Sequence, residues 1–514
     1  MSTPEISPST AHASGLDAKP VEPRRLHRRV IGIGLGFLLA AIVYWLMPDQ
    51  VPQAVLDVAP EGAEFTAHGL AVTAAVGTLM GTWWVTEAIP LAATALVPLV
   101  AFPLTQVSDF GTTAAPYANG TIFMFMGGFF LALAIQRWNL HRRIALVTVL
   151  TVGTTPKRLV LGLMVATGVM TMWVSNTATA VMMVPIALSV LSLVYEGASA
   201  SDMLKSNFGK SLVLGVAYSA SIASVSTIIS TPPATLLRAY LAEQEGIRIT
   251  FAQLMLFGVP LGWSFLFIGW WLIVNVLFKA EISEIPGGRD MIRRELQAMG
   301  PMSRGEKMVS VVFVLAALSW VILPTVFPDT FSDELIAMII TLVLFLTPVR
   351  PVLGIPLLDW ATAKHIPWDV LLLFGGGLSL SAMFTKTGFS LWIGESTRSL
   401  ADLPPVILVL LITVLIVILT EFTSNTATAA AFLPIMGGLA AGTGINVLLL
   451  VIPVALASTY GFMMPAGTPP NTIAYSSGDV RIADMIKAGL VLNIIGALLI
   501  TTFVMTLGRV VFGY

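Results

Sequence analysis

Long, uninterrupted apolar runs constrain the fold of this chain more than any other feature. A polar Ser/Pro/Ala-rich stretch ends in Arg24, Arg25, Arg28 and Arg29, and an apolar run then covers 30–47. Further runs cover 67–86, 89–104, 119–136, 159–174, 178–194, 210–229, 251–278, 308–326, 333–349, 368–385, 405–420, 427–441, 446–466 and 487–507. Runs of this length suit helices that cross a bilayer, whereas barrel strands alternate over about ten residues. Composition agrees: 56% of residues are hydrophobic and 11% charged, against about 25% charged in a soluble domain. So few charges cannot clothe a water-exposed globule. The expected fold is an all-α polytopic membrane protein with lipid as its outer partner. The 30–47 run follows a polar stretch and has no small-residue cleavage site after it, so it reads as a retained first span rather than a signal peptide.

Several functions are closed off. A net charge of −1 leaves no basic face for nucleic acid. With no cysteine, thiolate metal sites and cysteine nucleophiles are absent. His12, His27, His68, His141 and His365 form no His-x-x-x-His pair, which argues against a catalytic zinc. No phosphate-binding loop occurs, which argues against ATP-driven pumping, and nothing calls for an organic cofactor. No nucleophile–base or carboxylate pair lies within the apolar runs, so an embedded enzyme is not expected.

Charge sets the orientation. If the N-terminus is cytoplasmic, and 159–194 and 405–441 are hairpins returning to their own side, 22 of the 27 Lys and Arg residues face inward. Only Arg238, Arg248, Lys386, Arg398 and Arg509 face outward, as the positive-inside bias requires. The result is about 11 transmembrane helices plus two re-entrant hairpins, a cytoplasmic N-terminus and an outside C-terminus, in a cell inner (plasma) membrane.

The chain also repeats. Phe125-Met126-Gly127-Gly128 recurs as Phe374-Gly375-Gly376-Gly377, and Ser175-Asn176-Thr177-Ala178-Thr179 recurs as Ser424-Asn425-Thr426-Ala427-Thr428. Thr231-Pro232-Pro233 recurs as Thr468-Pro469-Pro470. Three motifs in one order mark a duplicated bundle, the sequence sign of a secondary transporter. Because the two hairpins open to opposite sides, the repeats are inverted. The expected layout is a cytoplasmic tail at 1–29, a first span outside the repeat at 30–66 and repeat 1 at 67–278, with hairpin 157–194 and a broken helix at 231–233. A cytoplasmic loop at 279–307 leads to repeat 2 at 308–512, with hairpin 405–441 and a broken helix at 468–471.

The motifs suggest a site. Ser, Asn and Thr cap helix N-termini, so helices should start at both Ser-Asn-Thr tips inside the membrane. Proline fits a first helical turn and breaks the helix before it, so two more helices should start at the Thr-Pro-Pro segments. Four such termini, each worth roughly +0.5 charge, can receive a small dianion without Lys or Arg. Freed carbonyls and neutral side-chain oxygens suit Na⁺. Glu87 reads mainly as a cap for the helix that Pro90 opens. Glu421, three residues before Ser424, either tunes the site or faces a polar crevice. The glycine pairs read as close helix packing, and Asp369 beside Trp368 reads as interfacial.

Trp83-Trp84-Val85-Thr86-Glu87-Ala88-Ile89-Pro90-Leu91, both Ser-Asn-Thr motifs and Pro465-Ala466-Gly467-Thr468-Pro469-Pro470-Asn471 resemble the divalent anion:sodium symporter family of bacterial dicarboxylate and mammalian citrate/dicarboxylate carriers. The resemblance covers roughly residues 30–512. It implies a homodimer in which a transport domain moves like an elevator against a scaffold domain. It also implies one Na⁺ site at Thr171, Ser175, Asn176 and the Ser230 carbonyl, and a second at Thr420, Ser424, Asn425 and the Gly467 carbonyl. Substrate carboxylates would meet Ser175, Asn176, Thr177, Ser424, Asn425, Thr426, Thr231-Pro232 and Thr468-Pro469. The first half departs from the family pattern: Ser230-Thr231-Pro232-Pro233-Ala234 stands where the second half has Gly467 and Asn471. The implied activity is Na⁺-coupled symport of C4-dicarboxylates. The alternatives are Na⁺-independent dicarboxylate exchange and carriage of citrate or sulfate.

Overall fold

The computed structural model describes residues 23–57, 59–60, 62–195, 206–285, 288–477 and 480–514. Residues 1–22 of the expected tail, with His12 and Lys19, lie outside the described residues, as does Lys205. The chain opens with α1 (Pro23–Leu46) and α2 (Ala67–Thr86). The first half continues with α3 (Gly120–Arg137), α4 (Leu140–Val152), α5 (Pro156–Thr171), α6 (Asn176–Val194), α7 (Asn207–Ile222), α8 (Pro232–Gln244) and α9 (Phe251–Leu272). After a connecting helix, α10 (Gly288–Ala298), come α11 (Arg304–Val326), α12 (Asp333–Leu346), α13 (Trp368–Lys386), α14 (Pro405–Thr420), α15 (Asn425–Thr443), α16 (Val447–Ala457), α17 (Pro469–Ser476) and α18 (Ile482–Phe503). Among the described residues the only sheet is an antiparallel pair, β1 (Pro348–Arg350) with β2 (Ile355–Pro356).

Nine helices among the described residues are long and apolar enough to cross a membrane, and four shorter apolar helices accompany them. The runs at 89–104, 333–349 and 446–466 give shorter helices than expected: Leu91–Leu104, α12 and α16. α1 turns Val30, Ile31, Phe37, Leu38, Trp45 and Leu46 outward, an arrangement stable in lipid. It packs on α2, where Gly36 leaves room for the Trp83 indole. Glu87 does not cap the helix after Pro90. It closes α2 in the left-handed region at φ 49°, its N–H bonded to the Trp83 carbonyl.

The two copies of the glycine motif meet. α3 and α13 carry the two glycine motifs, and Phe125 meets Phe374 with ring centroids 5.2 Å apart. The glycines serve close approach: a Cβ at Gly376 would lie 2.4 Å from the Ala95 carbonyl oxygen. α5 and α6 pack as one helical hairpin, and α14 and α15 as another. The halves then cross over reciprocally. α6 packs on α17, the helix after the second break, while α15 packs on α8, the helix after the first.

Candidate functional site

Each hairpin tip is bound to the broken helix of its own half. In the first, Pro156 opens α5 and Ser175 opens α6, its hydroxyl accepting from the Ala178 N–H at 3.3 Å. Thr171, fully buried, donates to the Ala220 carbonyl at 3.0 Å, and Thr227 donates to the Met172 carbonyl. Asn176 turns back on its own tip, its oxygen accepting from the Thr177 N–H at 2.7 Å. The break starts earlier than the prolines suggest. α7 ends at Ile222, and two tight turns, Ala223–Ser226 and Ile228–Ser230, precede α8. Ser230 donates to the carbonyls of Ser224 and Thr227, and Ser224 donates to that of Ser221. Hydroxyls thus occupy carbonyls that the broken backbone frees. Thr231 caps α8 by accepting from Ala234 N–H at 3.4 Å.

The second half differs. Ser424 and Thr468 hold the residues before α15 and α17 in extended geometry, yet neither side chain makes a cap bond. This corrects the expectation that all four tip residues cap their helices. The Ser424 hydroxyl stays free, and Thr468 instead accepts from Ser221 at 3.5 Å, which joins the two breaks. Tyr460 donates to the Ile222 carbonyl at 3.3 Å, a second link between the halves. Asn425, 9% exposed, turns its amide nitrogen to the carbonyls of Gly467 at 2.8 Å and Ser458 at 2.9 Å and to the Thr420 hydroxyl at 2.9 Å. Thr420 in turn donates to the Ser458 carbonyl at 2.7 Å. Thr420, Asn425 and Gly467 therefore form one cluster of neutral groups. Thr426 is buried, while Thr177 and Pro469 are exposed, and Ser175, Ser424 and Pro232 are half-buried.

Glu421 resolves toward the site. It is buried, and its oxygens accept from the Met463 N–H at 2.9 Å, the Met464 N–H at 2.8 Å and the Asn493 amide at 2.6 Å. The carboxylate braces the loop between α16 and α17 that carries Gly467. Sequence reasoning singled out Glu421 but not Asn493, Ser458 or Ser221, whose roles depend on contacts remote in sequence.

The helices after the two breaks are held unequally. In α8, Arg238 pairs with Asp333 at 3.1 Å and Glu334 at 2.5 Å, both on α12. Glu243 accepts from Asn119 at 2.8 Å, and Gln244 accepts from Thr385 at 2.6 Å. In α17, Asn471 and Thr472 bond to carbonyls of their own loop, Gly461, Met464 and Pro465.

Paired hairpins, paired breaks and a bundle of lipid-facing helices define a multi-span helical membrane transporter. Over residues 43–514 the chain matches the family described as the sodium:sulfate symporter transmembrane region, and it belongs to that family. It is 39% identical over 486 residues to the sodium-dependent dicarboxylate transporter SdcS of Staphylococcus saprophyticus, covering 93% of this chain and 91% of that one. Its identity to the SdcS of Staphylococcus aureus strain USA300 is 38% over 442 residues, covering 84% and 85%. In fold it is similar to the Alcanivorax borkumensis YdaH transporter, with a TM-score of 0.53, 16% identity and coverage of 94% and 98%. It is likewise similar to Neisseria gonorrhoeae MtrF, with a TM-score of 0.53, 13% identity and coverage of 94% of each chain.

Proposed function

We propose that this protein is a Na⁺-coupled symporter of C4-dicarboxylates such as succinate, malate or fumarate, working by elevator-type alternating access as a homodimer. In this reading the N-terminus is cytoplasmic and the C-terminus outside, and residues 67–278 and 308–512 are inverted repeats. Na⁺ sits at Thr171, Ser175, Asn176 and the Ser230 carbonyl, and at Thr420, Ser424, Asn425 and the Gly467 carbonyl. The substrate carboxylates meet the tip hydroxyls, tip amides and helix N-termini of Ser175-Asn176-Thr177, Ser424-Asn425-Thr426, Thr231-Pro232 and Thr468-Pro469.

The observation that carries the reading is the cluster around Asn425. There neutral oxygens of Thr420, Ser458 and Gly467 gather beside a Ser424 hydroxyl that makes no cap bond, with no Lys or Arg among the described residues bonded to them. Such a site needs a cation to hold a dianion firmly. The sodium-dependent dicarboxylate transporters at 38–39% identity support the choice of ion and substrate. The test is uptake of labelled succinate into proteoliposomes with and without an inward Na⁺ gradient. Saturable, Na⁺-driven accumulation is expected. Uptake indifferent to Na⁺ but dependent on internal dicarboxylate would replace symport with exchange.

A further inference from the structure

Of eight buried side-chain oxygens without a hydrogen-bond partner among the described residues, three lie on three mutually packed helices: Thr179 Oγ1 on α6, Tyr218 Oη on α7 and Asn471 Oδ1 on α17. All three residues are fully buried. The hydroxyls of Thr78, Thr82 and Thr167 donate back four residues at 2.7–2.8 Å, whereas the Thr179 hydroxyl, like that of Thr73, has no partner. Tyr460 and Tyr240 have hydrogen-bond partners for their hydroxyls, but Tyr218 has none. The Asn471 amide nitrogen is committed to the Gly461 and Met464 carbonyls at 2.8 and 3.0 Å, so its oxygen cannot be turned toward them. Leaving a buried polar atom unpaired costs free energy, and native proteins keep such atoms for a reason.

Two of the three flank one contact between the halves. Ser221 on α7 meets Thr468 at the head of α17 at 3.5 Å. Tyr218 lies three residues before Ser221 and Asn471 three after Thr468, so each is about one helical turn from that contact. The Tyr218 ring sits 5.4 Å from the ring of Phe462, the residue after Gly461, whose carbonyl holds Asn471. Thr179 lies about one turn into α6 from the tip. The charges acting on the Tyr218 hydroxyl are the carboxylates Glu421 and Asp484. Asp484 is paired with Lys210 at 3.1 Å. Glu421 accepts only from neutral donors, Met463, Met464 and Asn493. No cation among the described residues is bonded to Glu421, so its carboxylate would favour one bound nearby.

We propose that Thr179, Tyr218 and Asn471 form an additional Na⁺ site, one turn from the tips and shared between the two halves. The inference rests on the sodium-coupled reading. A cation here would tie α17 to α6 and α7, so its binding would set how the second break sits on the first half.

The test uses Tyr218→Phe and Thr179→Val, which each remove one oxygen and little else. In proteoliposomes, both variants should raise the Na⁺ concentration for half-maximal succinate uptake about fivefold, the scale of one lost polar contact, and should flatten the Na⁺ dependence. Purified Tyr218→Phe should also lose part of the Na⁺-dependent rise in Tm. If the oxygens bind no ion, deleting an unpaired hydroxyl should raise or preserve Tm and leave the Na⁺ dependence unchanged, and that result overturns the site. Wild-type uptake with no Na⁺ dependence would sink the symport reading instead. The melting measurement then still decides: a Na⁺-dependent rise in Tm that is reduced in Tyr218→Phe upholds the site, and an equal rise, or none, overturns it.

Discussion

Replacing Asn425 with alanine is the sharpest probe of the second tip. The amide nitrogen satisfies the Gly467 and Ser458 carbonyls and the Thr420 hydroxyl at 2.8–2.9 Å. After truncation, Thr420 still serves Ser458 at 2.7 Å, but the Gly467 carbonyl is left buried without that donor. Orphaning a buried acceptor costs about 1–3 kcal/mol, and each interhelical hydrogen bond in a membrane averages about 0.6 kcal/mol. The local geometry should thus be destabilised by about 2–3 kcal/mol, enough to lower the fraction of assembled sites roughly 30- to 150-fold. That sum is too small to unfold a bundle of this size. The protein should elute from size exclusion like the wild type while labelled succinate uptake falls to background. Na⁺-dependent uptake within a few fold of wild type by Asn425→Ala would refute the assignment of this tip to substrate and ion.

Glu421→Gln puts an amide where a carboxylate accepts three neutral donors; either the Met464 N–H or the Asn493 amide should be stranded, costing about 1–3 kcal/mol of stability, lowering Tm and cutting uptake, and an unchanged Tm would show that the loop does not depend on the charge. The chain has no cysteine, so Asn119→Cys/Glu243→Cys places its only thiols where two side chains now bond at 2.8 Å. Oxidation should stop uptake and a reductant should restore it if α8 leaves α3 during transport, whereas undiminished uptake by the cross-linked protein rules that motion out. Gly376→Ala would set a Cβ 2.4 Å from the Ala95 carbonyl oxygen, an overpacking worth about 1–3 kcal/mol, and should reduce the yield of folded protein on size exclusion; normal yield would mean α13 can shift away.

Features written into local pattern were legible in the sequence. Apolar runs placed most of the helices, and the repeated Ser-Asn-Thr and Thr-Pro-Pro segments marked where four helices start, because N-cap chemistry and proline act on the residues beside them. The 223–230 turns were hidden. They depend on Ser224, Thr227 and Ser230 finding carbonyls, one of them at Met172 in the other arm of the site. The role of Glu421 was open for the same reason: its donors come from residues 463, 464 and 493, and no periodicity reports such contacts. Ser424 and Thr468 stand at cap positions but make no cap bond, and sequence alone cannot tell a used cap from a free hydroxyl.

That last difference bears on how two related halves divide the work. In the first half, Ser175 and Thr231 are spent on capping their own helices, Asn176 bonds within its tip, and hydroxyls fill the break. Side chains that already have partners must give them up before they can take a ligand. In the second half, Ser424 is free and Asn425 reaches across to the break. The helices after the breaks show the opposite bias: α8 is tied by Arg238, Glu243 and Gln244 to α12, to Asn119 and to α13, while Asn471 and Thr472 of α17 bond to their own loop. A symmetric pair of sites would be equally ready and equally held. Here the half whose tip is free lends it, through α15, to the helix that is locked, and the half whose tip is committed packs against the helix that is not. A ligand at the second tip, as proposed, would act on a helix that packs against α8 and its ion pairs. The Arg238–Asp333–Glu334 contact is therefore the tie that α8 would have to break in order to follow the second tip.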